Sequence, residues 1–288
     1  MKLTSQEQEA RSRVCLPLDK LPTMEAAYNR VHELSPVVGL YKIGKGSFTR
    51  FGHDIIEMVH SEDANIFLDL KYYDIPNTVE DAAAAAAELG VYMFNVHASG
   101  GVDMMKAAME GAKKGADLAG VDMPKVIGVT VLTSFDEASY LRTFQPLNPE
   151  LSKVDFGKYL SMDKDDEELQ DEFERVLTHY DLNGVIQQQV LHLANLANEA
   201  GLDGIVCSAA DLRDITEHLP TDFSYTTPGV KGPKTEAGKD QKRVMTPGNA
   251  IQDGSDILVV GRAITGGDTP EARIQAGYEV LQDMARYL

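Results

Sequence analysis

Basic residues are the scarce class in this chain of 288 residues: 27 Lys and Arg stand against 45 Asp and Glu, a net charge of −18 at pH 7. Nucleic acid and anionic membranes both recruit positive potential, so neither is expected as a partner. An anionic small molecule stays possible, because a pocket can be basic on an acidic protein. Cysteine is almost missing. Cys15 and Cys207 lie inside apolar runs, which implies no disulfide framework and fits a reducing cytoplasm. No stretch approaches the ~18 uninterrupted apolar residues of a membrane span. The opening MKLTSQEQEARSR has no apolar core of the secretory kind, so no signal peptide is expected. No two histidines stand at i, i+4 and no CxxC occurs, so no dedicated metal site is expected. Neither thiol has a charged neighbour, and GxSxG is missing, which leaves Cys and Ser nucleophiles without support.

What is present is rhythm. Short runs rich in Val, Ile and Leu (14–19, 39–44, 64–72, 92–98, 125–133, 204–209, 224–230 and 257–265) alternate with amphipathic stretches (22–34, 47–60, 77–89, 101–114, 183–200, 210–219, 247–253 and 270–287). Strand then helix, eight times, predicts a (β/α)8 TIM barrel of α/β class, read as a single domain over 1–288. An open doubly wound sheet is the runner-up, weakened because no GxGxxG follows the first strand. DAAAAAAELG (81–90) reads as a helix of small side chains able to pack close to the sheet. An acidic helical insertion after strand 5, about 136–182, breaks the rhythm. It holds thirteen Asp and Glu against five Lys and Arg. Within it Leu169, Phe173, Val176 and Leu177 have helical spacing, which predicts a solvated surface helix with one apolar stripe packed on the barrel. A lid or an oligomer contact is the alternative.

Alternate strand residues share a face. Asp69 and Lys71 are therefore expected on one face of the third strand, with Leu68 and Leu70 on the other. Asn95 and His97 oppose Phe94 and Val96 on the fourth. If the apolar parity meets the outer helices, the polar parity points into the barrel near the strand ends, where barrel enzymes act. Buried charges are costly unless matched, and here Asp19, Lys42, Asp69, Lys71 and Asp74 are supplied together. A single pair would read as structural; five such groups read as a site. A lone histidine at a strand end reads as a supporting residue, so His97 is given no catalytic role. At the far end of the chain, LVVGRAIT (258–265) places Gly261 and Arg262 after the last strand. Glycine lets backbone approach a ligand and arginine offers a fork to phosphate oxygens. The preceding TPGVKGPKTEAGKDQKRVMTP (227–247) reads as a basic loop whose Lys231 and Gln241 could close over a phosphorylated ligand.

These stretches resemble the orotidine 5′-phosphate decarboxylases of the common bacterial type: LPLD (16–19), YKIGKGSFTRFG (41–52), FLDLKYYDIPNTV (67–79), VHASGG (96–101), VTVLTS (129–134), GLDGIVCSA (201–209), TPGV (227–230), DQKRVMTP (240–247) and VVGRAIT (259–265). The resemblance implies a cofactor-free, metal-free barrel working as a homodimer on a small nucleotide, in pyrimidine biosynthesis. It implies that Lys71 protonates C6 of the pyrimidine and that Asp69 faces the substrate carboxylate. Lys42 would be the outer lysine, touching the ribose, and Asp19 would bind a ribose hydroxyl. Asp74 would be a catalytic aspartate delivered across a dimer interface into the partner's site, with Thr78 reaching it too, and Ile75 and Thr78 would bind substrate. Thr133 would lie by the pyrimidine edge. Gln241 would bridge base and phosphate, and Lys231, Gly261 and Arg262 would hold the phosphate. Two departures stand out. The family usually reads Gly-Ile-Arg where this chain has Gly229-Val230-Lys231, and the acidic insertion is longer than expected. Alternatives are a metal-dependent sugar-phosphate decarboxylase or synthase of the same superfamily, and a non-catalytic nucleotide-binding barrel.

Overall fold

The computed structural model describes residues 2–144, 154–159, 166–232 and 245–288. Eight strands form its centre: β1 (Val14–Pro17), β2 (Leu40–Gly44), β3 (Asn65–Tyr72), β4 (Met93–His97), β5 (Lys125–Val129), β6 (Gly204–Val206), β7 (Ser224–Pro228) and β8 (Ile257–Val259). Each pairs in parallel with the next. The ring closes where Val14 and Cys15 of β1 pair with Leu258 and Val259 of β8. This is the (β/α)8 barrel, and closure rules out the open sheet. Several strands stop short of their apolar runs. The run at 257–265, for example, leaves the ladder after Val259 and coils into a short helix.

The helices follow local chemistry. Thr4 opens α1 (Ser5–Arg13) in a reciprocal cap with Glu7. Thr23 caps α2 (Met24–Leu34) by accepting from Ala26 N. The single helix expected over 47–60 is two, α3 (Lys45–Phe51) and α4 (Asp54–Ser61), because Gly52 between them takes φ +59°, a conformation glycine reaches without a Cβ penalty. Proline begins α5 (Pro76–Glu88), and Gly120 in the left-handed conformation ends α6 (Val102–Ala119). The alanines of α5 do allow close packing, but the tightest approach is to α6. A Cβ on Gly111 would meet Glu80 O at 2.1 Å, and one on Gly115 would meet Ala84 O at 2.1 Å.

Two compact units divide the chain: residues up to Thr130 with Leu193–Leu288, and Val131–His192. The first unit holds the barrel and α1–α6. It also holds the second half of α9 (Val185–Glu199), then α10 (Leu212–Ile215), α11 (Pro247–Gln252), α12 (Arg262–Thr265) and α13 (Pro270–Met284). The second unit contains α7 (Glu137–Thr143), a 3-10 turn at Phe156–Tyr159 and α8 (Glu167–His179). Its own core joins Ala138, Leu141, Phe156, Tyr159, Phe173, Leu177 and Leu182, with Leu169 and Val176 packed against it. The predicted apolar stripe of the insertion thus closes on elements of its own unit.

Inside the barrel, inward residues form two layers. Cys15, Leu40, Phe67, Met93, Ile127 and Ile257 make an apolar floor. One pleat further along β2, β3 and β4 stand Lys42, Asp69 and Asn95, so the polar parity faces inward.

Candidate active site

Above that floor, Asp69 joins two lysines. Its Oδ2 lies 3.1 Å from Lys42 Nζ, and its Oδ1 pairs with Lys71 Nζ. Lys42 also reaches Asp19, at the end of β1, at 3.4 Å. Gly44 keeps that pair open: a Cβ there would meet Asp19 Oδ1 at 3.0 Å and Lys42 Nζ at 3.1 Å. The result is a chain of alternating charge, Asp19–Lys42–Asp69–Lys71, drawn from three consecutive strands. Its exposure graduates. The side chains of Asp69 and Lys42 are 10% and 12% accessible, Lys71 27% and Asp19 50%. The dry end is Lys42–Asp69, and the ammonium of Lys71 is presented upward from it.

The strand that carries Lys71 is irregular. β3 pairs in register with β4 at Phe67–Met93 and Leu68–Phe94, then slips, so that Tyr72 pairs with Val96. Lys71 sits in the slip with φ +51°. Left-handed backbone costs a non-glycine residue on the order of 1–3 kcal/mol and persists only where its surroundings enforce it. Asn95, only 1% exposed, supplies part of that enforcement. Its Oδ1 accepts from the Lys71 backbone N–H at 2.8 Å, and its Nδ2 donates to Asp69 Oδ1 at 2.7 Å. Alternation placed Asn95 on the inner face; the bulge that gives it two partners leaves no mark in the sequence pattern.

Burial works against both dry charges, and their partners outweigh it. Lys42 is desolvated, yet Asp69 and Asp19 raise its pKa above the ordinary lysine value. Asp69 is also desolvated, yet Lys42 and Lys71 hold its carboxyl below the usual range. Both therefore stay ionised at neutral pH. His97, at the end of β4, is pushed down by burial and then by Lys45 and Lys71, against the pull of Asp69. It is neutral, and its ring meets that of Tyr73 edge-on at 5.5 Å. Burial pushes the thiols of Cys15, in the floor beneath Lys42 and Asp69, and of Cys207 far up, so neither serves as a thiolate nucleophile. Among the described residues no group of His, Cys, Asp or Glu could hold a metal ion.

The other predicted residues are distributed around this cluster. Asp74 is exposed on the turn after β3, where its Oδ1 accepts from Ile75 N at 2.7 Å. Ile75, 67% exposed, precedes α5, and Thr78 lies exposed in its first turn. Among the described residues no ion pair links Asp74 to Lys71. Gly261 and Arg262 open α12 directly after β8, on the same end of the barrel, with Arg262 exposed. A Cβ on Gly261 would meet only Pro17, at 3.4 Å, so the protein's own packing does not demand glycine there. Lys231 follows β7, its backbone N–H bonded to Met245 O at 3.4 Å. Thr133 falls in the second unit. Gln241 lies outside the described residues.

A closed barrel with a desolvated lysine–carboxylate chain at its strand ends defines a TIM-barrel enzyme. The chain belongs to the orotidine 5′-phosphate decarboxylase / HUMPS family, whose profile matches residues 12–151 and 167–276. It is 36% identical to the orotidine 5′-phosphate decarboxylase of Syntrophus aciditrophicus over 288 residues, 100% of this chain and 99% of that relative. The enzyme of the same name from Pseudoalteromonas translucida is 39% identical over 264 residues, covering 92% of this chain and 94% of the relative. Among solved structures, orotidine 5′-phosphate decarboxylase from Lactobacillus acidophilus superposes with a TM-score of 0.69 at 30% identity, covering 94% of this chain and 98% of that one.

Proposed function

We propose that this protein decarboxylates orotidine 5′-phosphate to UMP and CO2 in pyrimidine biosynthesis, with Lys71 as the proton donor. The observation that carries the reading is the Lys42–Asp69–Lys71 chain, ionised and largely dry above an apolar floor. When the C6–carboxylate bond breaks, its electron pair stays on C6, where the pyrimidine offers no ordinary electron sink. The demand on the protein is on the order of 20 kcal/mol. A unit charge pair at about 4 Å supplies roughly 4 kcal/mol at an effective dielectric near 20, so one ammonium cannot suffice. The remainder comes from fixed charge in a water-poor site and from binding energy of the distant phosphate. The Lys71 ammonium stabilises the growing charge and then gives its proton to C6. Asp69, facing the leaving carboxylate, pairs with the Lys71 ammonium and aims it. Lys42 and Asp19 take the ribose hydroxyls. Arg262, with the bare backbone of Gly261, Lys231 and Gln241, takes the phosphate.

The active form in this proposal is a cytoplasmic homodimer, in which Asp74 and Thr78 serve the partner's site alongside Ile75. Support for the dimer is that Asp74 faces solvent within one chain, between Tyr73 and Ile75, 61% and 67% exposed. Support for the cytoplasm is that both cysteines are free thiols.

The test is the loss of orotidine 5′-phosphate absorbance with purified protein, with and without EDTA, beside Lys71→Ala. The expected result is decay indifferent to EDTA and slowed at least about 10³-fold in the variant, the range of a lost proton donor combined with a lost charge. Decay abolished by EDTA would instead assign the chain to metal-dependent sugar-phosphate chemistry, and UMP binding without decay to a silent nucleotide-binding barrel.

A further inference from the structure

We infer that Asn95 is the positioning residue that aims Lys71: one buried amide holds the lysine's backbone and its carboxylate partner at once. The inference rests on the decarboxylase reading above.

The slip in β3 creates a defect that something must repair. Where a ladder is interrupted, a backbone N–H loses its strand partner, and a buried donor without an acceptor is costly. The Lys71 N–H is such a donor, and the acceptor it finds is a side chain, Asn95 Oδ1 at 2.8 Å. The other end of the same amide reaches Asp69 Oδ1 at 2.7 Å. That oxygen also takes the Lys71 ammonium. Asn95 therefore closes a ring: its amide, the Lys71 backbone, the lysine side chain and the Asp69 carboxylate. Within the ring the amide fixes Lys71 at φ +51°, and so fixes where its side chain departs from the strand. It also fixes the rotation of Asp69, which directs Oδ1 to Lys71 and leaves Oδ2 for Lys42 at 3.1 Å. A planar group with an acceptor and a donor on one side chain is required. At 1% exposure Asn95 is closed off from solvent within the layer that holds Lys42 and Asp69, and it acts through Lys71 and Asp69.

Two substitutions separate the two halves of the ring. Asn95→Leu keeps the branched outline with bulkier methyl ends and removes both hydrogen bonds. Asn95→Asp keeps the acceptor for the Lys71 N–H and turns the donor toward Asp69 into a repelling oxygen. Once protonated, that new carboxyl regains a donor and restores the pattern of the native amide. The experiment measures kcat and KM for orotidine 5′-phosphate from about pH 5 to 8, with the dissociation constant of UMP and the melting temperature of each variant. The expected result for Asn95→Leu is kcat reduced about 10²-fold, as for a misplaced reacting group, with UMP affinity within threefold of wild type. For Asn95→Asp, kcat relative to wild type rises as the pH falls. If Asn95→Leu does not fold, the pH profile of Asn95→Asp decides. An unchanged kcat, a loss of UMP binding equal to the loss of kcat, or a ratio of Asn95→Asp to wild type that is flat with pH would each overturn the role. No decay by wild type would overturn the decarboxylase reading and this role with it; decay by wild type with unaffected variants overturns this role alone.

Discussion

Asp69 is the residue on which the site turns, because a single carboxylate separates two ammonium groups and accepts an amide besides. Its pKa in the fold lies below the ordinary value, so the sign of its pH effect is fixed. The stabilisation is complete above the unfolded value near about 4 and is lost as acid carries the pH down through the lower folded value, because the unfolded chain binds the proton first. Between about pH 5 and 3 the melting temperature of wild type should therefore fall more steeply than that of Asp69→Asn; parallel melting curves across that window would contradict the shift. Much at this scale was legible. Asp69 and Lys71 are two apart in FLDLKYY, and charge at that spacing in an apolar strand needs a partner, which Lys42 and Asp19 supply. The double duty of Asn95 was not legible, since it depends on a register slip that strict alternation cannot express. Gly44 carries no chemistry of its own and was invisible for the same reason: only the three-dimensional pair around it shows what a side chain would displace.

At the scale of elements, period was the best guide and failed where an element lacks an apolar face. α1 buries only Ala10, so no hydrophobic stripe announces it; its signal was the Thr4 and Glu7 cap, three residues apart. Gly52 splits α3 from α4 inside a run that keeps helical spacing on both sides. The α5–α6 pair shows how composition becomes packing. Alanines on one helix face glycines on the other, and the backbones come closer than any larger residue permits. Gly111→Val should destabilise the protein by about 1–3 kcal/mol or more, as overpacking does when the obstructing atoms are backbone. Urea unfolding monitored by circular dichroism would read the change, and an unaltered midpoint would show that the helices separate freely.

For the molecule as a whole, the proposed sharing of Asp74 between subunits has a decisive arithmetic. A hybrid dimer of one Lys71→Ala chain and one Asp74→Ala chain places both changes in one site and leaves the other site native. Co-expressed with two different tags and purified through both, the hybrid should recover about half of wild-type activity per dimer, as a two-fold interface requires. Each variant alone should be nearly inactive, and a hybrid no better than its parents would assign Asp74 to its own subunit. Ring topology was readable because eight strand–helix repeats leave few other arrangements. The small core of Val131–His192 was harder to read, because one amphipathic helix in sequence does not say which apolar surface it will meet. Closure of the ring has a consequence for biosynthesis. Residues Asp19, Lys42, Asp69 and Lys71 all come from the first three strands, so a ribosome delivers the whole charged chain before half the protein exists. The β1–β8 seam, Val14 with Leu258 and Cys15 with Val259, must wait for the last strand. Until then the nascent sheet has two open edges and its ionised interior is wet. Chaperones that shield such edges would be guarding an active site already assembled in sequence and not yet dry.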